Sequence, residues 1–344
     1  MTDPALSIRA LEKRYGSHTA LRGIDLDVPP GAVYGVIGPN GAGKTTTMRI
    51  LLDLVRPTAG EVRVLGQTPR GGGAALRSRI GYLPGELRLA GRMSGRAFLA
   101  HHAAISGTVA AGAAEAYAER LGVDLARPVH SLSKGNKQKL GLIQAFQHDP
   151  ELLVLDEPTS GLDPLVQREF HTMLREARDR GATVFLSSHV LSEVQLTADR
   201  VAILREGRIM TVATVDALRE SAVRRARITV GHADAAPLAA ALERVEGVAL
   251  GDAATTASDR SILTATVDTH VDAFVKALAG HPLLDLTLEE PDLEAAVLRY
   301  YDGPAGGEGA VSAPAASAPA TPTAASARPA ASAASAASAE ETIR

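Results

Sequence analysis

A hydrophobic fraction of 45% over 344 residues leaves enough apolar chain for more than one packed core. The formal net charge of −3 lacks the basic excess of a nucleic-acid binder, so no nucleic-acid partner is expected. The absence of cysteine excludes a disulfide framework, a CxxC redox pair and thiolate metal sites.

The start, MTDPALSIRA, has no apolar signal-peptide core, and no stretch of about 20 apolar residues follows it. A chain that stays in the cytoplasm and does not cross a bilayer by itself is therefore expected. To about residue 220, short β-rich runs alternate with helical patterns in the manner of a covered parallel sheet. Strands are predicted at Leu6 to Leu11, Ile24 to Val28, Val33 to Ile37, Glu61 to Leu65, Leu152 to Leu155, Thr183 to Leu186 and Val201 to Leu204.

Directly after the third of these comes Gly38-Pro39-Asn40-Gly41-Ala42-Gly43-Lys44-Thr45, a full match to G-x-x-x-x-G-K-[ST], and then a helical run from Thr46 to Leu54. Strand, loop and helix are the context this motif needs. Glycines let successive N–H groups and the helix N-terminus face phosphate oxygens, where the peptide dipoles favour negative charge. Lys44 is expected to reach the β- and γ-phosphates, and the Thr45 hydroxyl to ligate Mg²⁺.

Between Ser94 and Gln147 the strand signal gives way to Ala-rich helical spacing, which reads as an inserted helical subdomain. The chain then runs ELLVLDEPTSGLDP, residues 151–164, an apolar strand that ends in Asp156 and Glu157. Adjacent carboxylates repel and prefer solvent, so a cation or polar ligand is expected at that sheet edge. With the phosphate loop in the same chain, Asp156 suits the metal and Glu157, one residue further out, the attacking water.

From Arg227 to Tyr301 the order strand, helix recurs three times on a smaller scale, with strands at Ile228 to Val230, Ser261 to Val267 and Leu283 to Leu288. Arg224, Arg225 and Arg227 read as a solvated face. Residues 303–344 are almost entirely Ala, Ser, Pro, Thr and Gly and cannot bury enough apolar surface to offset the entropy of ordering.

Residues 131–164 narrow the choice. Ser131-Leu132-Ser133-Lys134-Gly135-Asn136-Lys137-Gln138-Lys139 resembles the LSGGQ signature of ABC-type ATPases, with Lys134 and Asn136 as departures. Pro158 to Asp163 resembles their D-loop, His189 their switch histidine, and Tyr15 the aromatic residue they place against adenine. The resemblance implies an α/β fold: a P-loop NTPase domain of ABC type over 1–222, with antiparallel β and inserted helical subdomains. A small C-terminal α+β domain over 223–302 and a disordered tail over 303–344 would follow.

It further implies ATP and Mg²⁺ at Tyr15 and Gly38 to Thr46, with Thr45 and Asp156 on the metal and Glu157, His189 and Lys44 in the chemistry. A head-to-tail homodimer would bring Ser133, Gly135 and Asp163 of one chain onto the ATP of the other. At Gly81-Tyr82-Leu83-Pro84-Gly85-Glu86 the family usually has glutamine after the proline; here Gly85 stands there, and Glu86 either takes over its metal-side role or the loop only couples. The segment 227–301 is similar to the C-terminal domain of daunorubicin-resistance-type exporter ATPases. An ATPase subunit on the inner face of the cell membrane, powering a separate permease for drugs, antibiotics or other hydrophobic compounds, is the leading expectation; a nucleotide-driven regulatory or assembly dimer with little turnover is the alternative.

Overall fold

Residues 3–289 are described in a computed structural model, apart from 88, 90, 108, 221–222, 252–253, 257–259 and 269–270, and belong to one compact unit. The last predicted helix of the C-terminal segment and the Ala/Ser/Pro-rich tail lie outside the described residues.

In chain order the elements are β1 (Leu6–Tyr15), β2 (His18–Val28), β3 (Val33–Ile37), α1 (Lys44–Leu51), β4 (Ala59–Val64), α2 (Pro69–Arg77) and β5 (Ile80–Leu83). The helical stretch follows as α3 (Gly95–Ser106), α4 (Ala113–Leu121) and α5 (Lys134–Phe146). Next come β6 (Leu152–Asp156), α6 (Pro164–Asp179), β7 (Thr183–Ser188), α7 (Leu191–Thr197), β8 (Arg200–Arg205), β9 (Arg208–Thr214) and α8 (Val215–Glu220). The C-terminal part holds β10 (Arg224–Gly231), α9 (His232–Leu242), β11 (Val248–Leu250), β12 (Ala254–Thr256), β13 (Arg260–Val267), α10 (Val271–Leu278) and β14 (Leu283–Leu288).

Among the described residues the strands form three sheets. The central one has the order β5-β6-β7-β3-β8-β9, parallel except for β9, which pairs antiparallel with β8. A separate antiparallel sheet, β2-β1-β4, is the antiparallel β part that the resemblance implies and that the alternating pattern alone does not reveal. Its first two strands run longer than predicted because Tyr15 pairs with His18 across a turn at Gly16 (φ +57°), and the polar residues Glu12 to Tyr15 still pair. The third sheet, β11-β13-β10-β14 with β12 on β13, is antiparallel.

Period-two alternation sorts the central strands between two cores. Leu152 and Val154 of β6 join Tyr34, Phe185 and α1 residues Met48 and Ile50 beneath the β2-β1-β4 sheet. Leu153 and Leu155 join Leu140 and Ile143 of α5, Phe170 and Met173 of α6, and Val194 of α7 on the other face. All four apolar side chains of β6 are fully buried, at about 1.5–3 kcal/mol each relative to exposure, which is why this strand reads as an unbroken apolar run.

Strand β5 escaped the sequence reading because it has four residues and no alternation. Its Gly81 is required: a Cβ there would stand 2.1 Å from the Ala145 carbonyl oxygen, so α5 packs its backbone onto the strand. The C-terminal sheet has its own core, built by Ile228, Val230, Leu238, Leu263 and Phe274, and the extra strands β11 and β12 are three residues each, too short to give a pattern.

Candidate active site

Strand β3 ends at Ile37 and delivers the chain into the phosphate loop, which wraps back to α1. Gly41 (φ +83°) and Gly43 (φ +113°) adopt backbone conformations that side-chain-bearing residues avoid. Gly38 is needed for another reason: a Cβ would stand 2.3 Å from the Leu204 carbonyl oxygen of β8. The Lys44 ammonium is buried and donates to the carbonyls of Gly38 (2.6 Å) and Pro39 (3.4 Å). A cavity of about 250 Å³ is lined by Tyr15, by every residue from Pro39 to Thr46 and by Glu157, with His18 and Ala20, which sequence reasoning did not select. Gly38, the remaining predicted ATP contact, serves through its carbonyl instead. Larger cavities beside α1 and α2 (about 480 Å³) and on the C-terminal sheet (about 430 Å³) gather neither the loop nor Asp156 and Glu157.

The two adjacent carboxylates are handled in opposite ways. Asp156 is not solvated, contrary to expectation for a like-charged pair: it is 1% exposed, and two hydroxyls satisfy it. Thr45 Oγ1 donates to Oδ2 at 2.7 Å and Ser187 Oγ to Oδ1 at 2.6 Å, charge-assisted bonds that make burial of the carboxylate tolerable. Glu157 turns out of the strand at φ +50°, left-handed backbone that costs a non-glycine residue about 1–3 kcal/mol and persists only where the surroundings hold it. Its N–H donates to the Ser187 carbonyl (3.2 Å) and hydroxyl (3.1 Å). Its carboxylate then lies between two cationic or polar groups, with Oε1 3.7 Å from Lys44 Nζ and Oε2 2.5 Å from His189 Nδ1.

The ABC transporter family profile matches residues 21–160. Daunorubicin resistance ATP-binding protein DrrA3 of Streptomyces coeruleorubidus is 36% identical over 313 residues, which cover 87% of this chain and 96% of that one. The chain belongs to the ABC transporter ATP-binding family. Bacitracin transport ATP-binding protein BcrA of Bacillus licheniformis is 36% identical over 61% of this chain and 70% of its own. Nod factor export ATP-binding protein I of Burkholderia lata is 34% identical over 63% and 73%. The solved ATP-binding subunit of an ABC transporter aligns with a TM-score of 0.59 at 28% identity, over 62% of this chain and 92% of that one. A dimeric bacterial ABC transporter cassette, at 20% identity and TM-score 0.56, shares the fold.

In this ABC ATPase the residues that resemble the signature and D-loop are tied to local tasks. Ser133 caps α5, its Oγ accepting from the Asn136 N–H at 3.3 Å, which leaves the hydroxyl proton to point elsewhere. Gly135 has a reason within its own chain: a Cβ would stand 2.9 Å from the Gly161 carbonyl oxygen of the D-loop. Asp163 caps α6 ahead of Pro164, accepting from the N–H groups of Leu165 (3.1 Å) and Val166 (3.0 Å), and these bonds hold its carboxyl below the usual aspartate range. Capping by Asp163 was not foreseen, although Asp-Pro at a helix start announces it.

Of the two residues after Pro84, it is Gly85 that lies against the site: a Cβ would stand 3.1 Å from Asp156 Oδ2. The Glu86 side chain is exposed, and among the described residues no group of three or more His, Asp or Glu forms that could hold a metal. The sequence also hid Gln138, Thr159 and Glu193. The buried Gln138 amide donates to the carbonyls of Glu157 (3.2 Å) and Pro158 (3.0 Å), and Glu193 Oε2 accepts from Thr159 (2.6 Å) and Ser188 (3.0 Å). All three fasten the turn that leaves β6.

Proposed function

We propose that this ATP-binding subunit hydrolyses ATP at a site completed by a second copy of the chain, and so powers a separate membrane permease that exports drugs, antibiotics or other hydrophobic compounds. The observation that carries the reading is the Glu157 carboxylate held between Lys44 and His189 at the mouth of the phosphate loop. Tyr15 stacks on adenine at the cavity rim, where it stands partly exposed with Lys13 Nζ 4.8 Å over its ring. The N–H groups of Asn40 to Thr46 face the phosphates, and the Lys44 ammonium exchanges its loop carbonyls for the β- and γ-phosphate oxygens.

The all-oxygen pair of Thr45 Oγ1 and Asp156, 2.7 Å apart, fits Mg²⁺ and would hold it beside the phosphate loop. When bound, Mg²⁺ neutralises charge between the terminal phosphates. Glu157 accepts a proton from the attacking water, and His189 keeps that carboxylate oriented while its other ring nitrogen turns to the γ-phosphate. Ser133 and Gly135 of the second copy approach the γ-phosphate from the far side, where the α5 N-terminus adds favourable dipole charge, and Asp163 lies at the contact between the copies.

Among the described residues no helix is long and apolar enough to cross a membrane, which supports a separate permease and a position at the inner membrane face. Export rather than import is favoured by the relatives named for daunorubicin resistance and Nod factor export. We read residues 1–222 as the ATPase domain and 223–302 as a second, small domain, a division supported by the independent core around Ile228 and Phe274. The decisive test is Glu157→Gln. Hydrolysis should fall by about 10²- to 10⁴-fold with ATP affinity kept, and trapped ATP should hold a dimer together. A wild-type hydrolysis rate would remove Glu157 from its role.

A further inference from the structure

We propose that Gln138, on the signature helix, is a positioning residue for hydrolysis: it holds Glu157 of its own chain in the strained backbone conformation that aims the carboxylate. The inference rests on Glu157 accepting the proton from the attacking water. Gln138 is 4% exposed, so its amide has no water to turn to, and both of its N–H groups find carbonyls, those of Glu157 and Pro158. Two carbonyl partners settle which end of the amide is nitrogen, because oxygen would meet oxygen.

Glu157 needs such a hold. Its φ of +50° lies where a side chain crowds the backbone, and the extended alternative would swing the carboxylate away from Lys44 and His189. One side of the residue is clamped by Ser187, whose carbonyl and hydroxyl take the N–H. The other side is clamped by Gln138 alone among the side chains that bond this carbonyl in the described residues. The Ser160 N–H also donates to the Glu157 carbonyl (3.2 Å), so removing the amide would leave that carbonyl with the turn bond alone and the Pro158 carbonyl without its side-chain donor, loosening the peptide plane that fixes where the carboxylate points.

The same bridge has a consequence for the dimer. Gln138 lies little more than one helical turn from Ser133, the residue that meets the ATP of the second copy in the proposed function. A shift of α5 driven by that nucleotide moves the Gln138 amide, and through it Glu157 at the other site.

The test uses the full chain with Gln138→Met, which keeps length and helix preference and removes both donors. Steady-state ATPase and equilibrium ATP binding are measured for wild type, Gln138→Met, Glu157→Gln and the double variant. We expect kcat of Gln138→Met to fall at least about tenfold, in the range of a misplaced catalytic group, with ATP Kd within about twofold of wild type. In the Glu157→Gln background the same substitution should change residual hydrolysis less than about twofold, because a residue acting through Glu157 has nothing left to act on. Should Gln138→Met fail to unfold cooperatively, Gln138→Asn, one methylene short of both carbonyls, carries the same comparison. Wild-type kcat, or an equal loss in both backgrounds, would overturn the proposal; a fully active Glu157→Gln would instead overturn the reading on which it rests.

Discussion

The phosphate side and the signature side of this molecule are built on different plans. Around the phosphate loop the polar groups are spent on one another: Thr45 and Ser187 on Asp156, Glu157 on Lys44 and His189, Lys44 on the loop carbonyls. On the signature side Ser133 and Asp163 are spent on helix caps, which place them at the outer ends of α5 and α6. Among the described residues no hydrogen bond joins Ser133 to the phosphate loop. The first arrangement is a site made ready within one chain; the second, in the proposed dimer, is a surface presented to the partner's nucleotide. Gln138 is the side chain that spans the two, reaching from α5 to the carbonyl of Glu157.

The sharpest way to break this contrast is a mixing experiment. Ser133→Arg and Lys44→Ala should each be inactive alone and regain activity together, because a mixed dimer has one site with both lesions and one with none. With random subunit exchange half the dimers are mixed and half their sites intact, so roughly a quarter of the wild-type rate is expected. Full activity of Ser133→Arg alone would mean that the signature side is not a partner surface at all.

Lys44→Ala also probes the phosphate side by itself. Losing charge-assisted bonds to phosphate should weaken ATP binding about 10- to 100-fold. Equal affinities by titration would show that the ammonium stays on Gly38 and Pro39 when nucleotide binds. Tyr15→Ala is a smaller effect, about 1 kcal/mol of lost stacking, since the ring is 44% exposed. Tyr15→Phe should bind ATP like wild type; a loss equal to that of alanine would assign the contact to the hydroxyl.

How far the sequence revealed these two plans depends on the range of the interaction. The phosphate loop was legible because it is contiguous, with Gly41 and Gly43 required by the local backbone, although the need for Gly38 comes from Leu204 on β8. Strands β3, β6 and β7 were legible because burial on both faces leaves an unbroken apolar run. The burial of Asp156 and its pairing with hydroxyls could not be read from the sequence, since those partners lie 111 and 31 residues away in the chain. Gln138 was invisible for the same reason: a glutamine between two lysines on a helix reads as surface, and only the packing of α5 against the turn after β6 buries it. Gly85 could be seen to depart from the usual glutamine, but not that Asp156 presses against it.

The smallest expected effect concerns what holds the signature side in place before any partner arrives. Arg120 of α4 makes paired bonds to Glu176 (2.8 and 2.9 Å) and one to Glu169 (2.6 Å), both on α6, and its guanidinium also lies 5.7 Å from the Tyr117 ring centroid. The cluster pins the helical stretch to the helix that Asp163 caps. These side chains are 31–41% exposed, so Arg120→Ala should cost only about 1 kcal/mol in chemical denaturation at neutral pH. The sign of its pH dependence follows from Glu176, whose carboxyl Arg120 holds below the ordinary glutamate range. A depressed acid contributes its stability above the unfolded value, near 4.5, and loses it as pH falls through the lower folded value. The gap between wild type and Arg120→Ala should therefore be constant from pH 7 to about 5 and narrow below about 4.5. A gap that stays the same into acid would assign the cost to lost packing of the arginine stem on Tyr117 rather than to its charge.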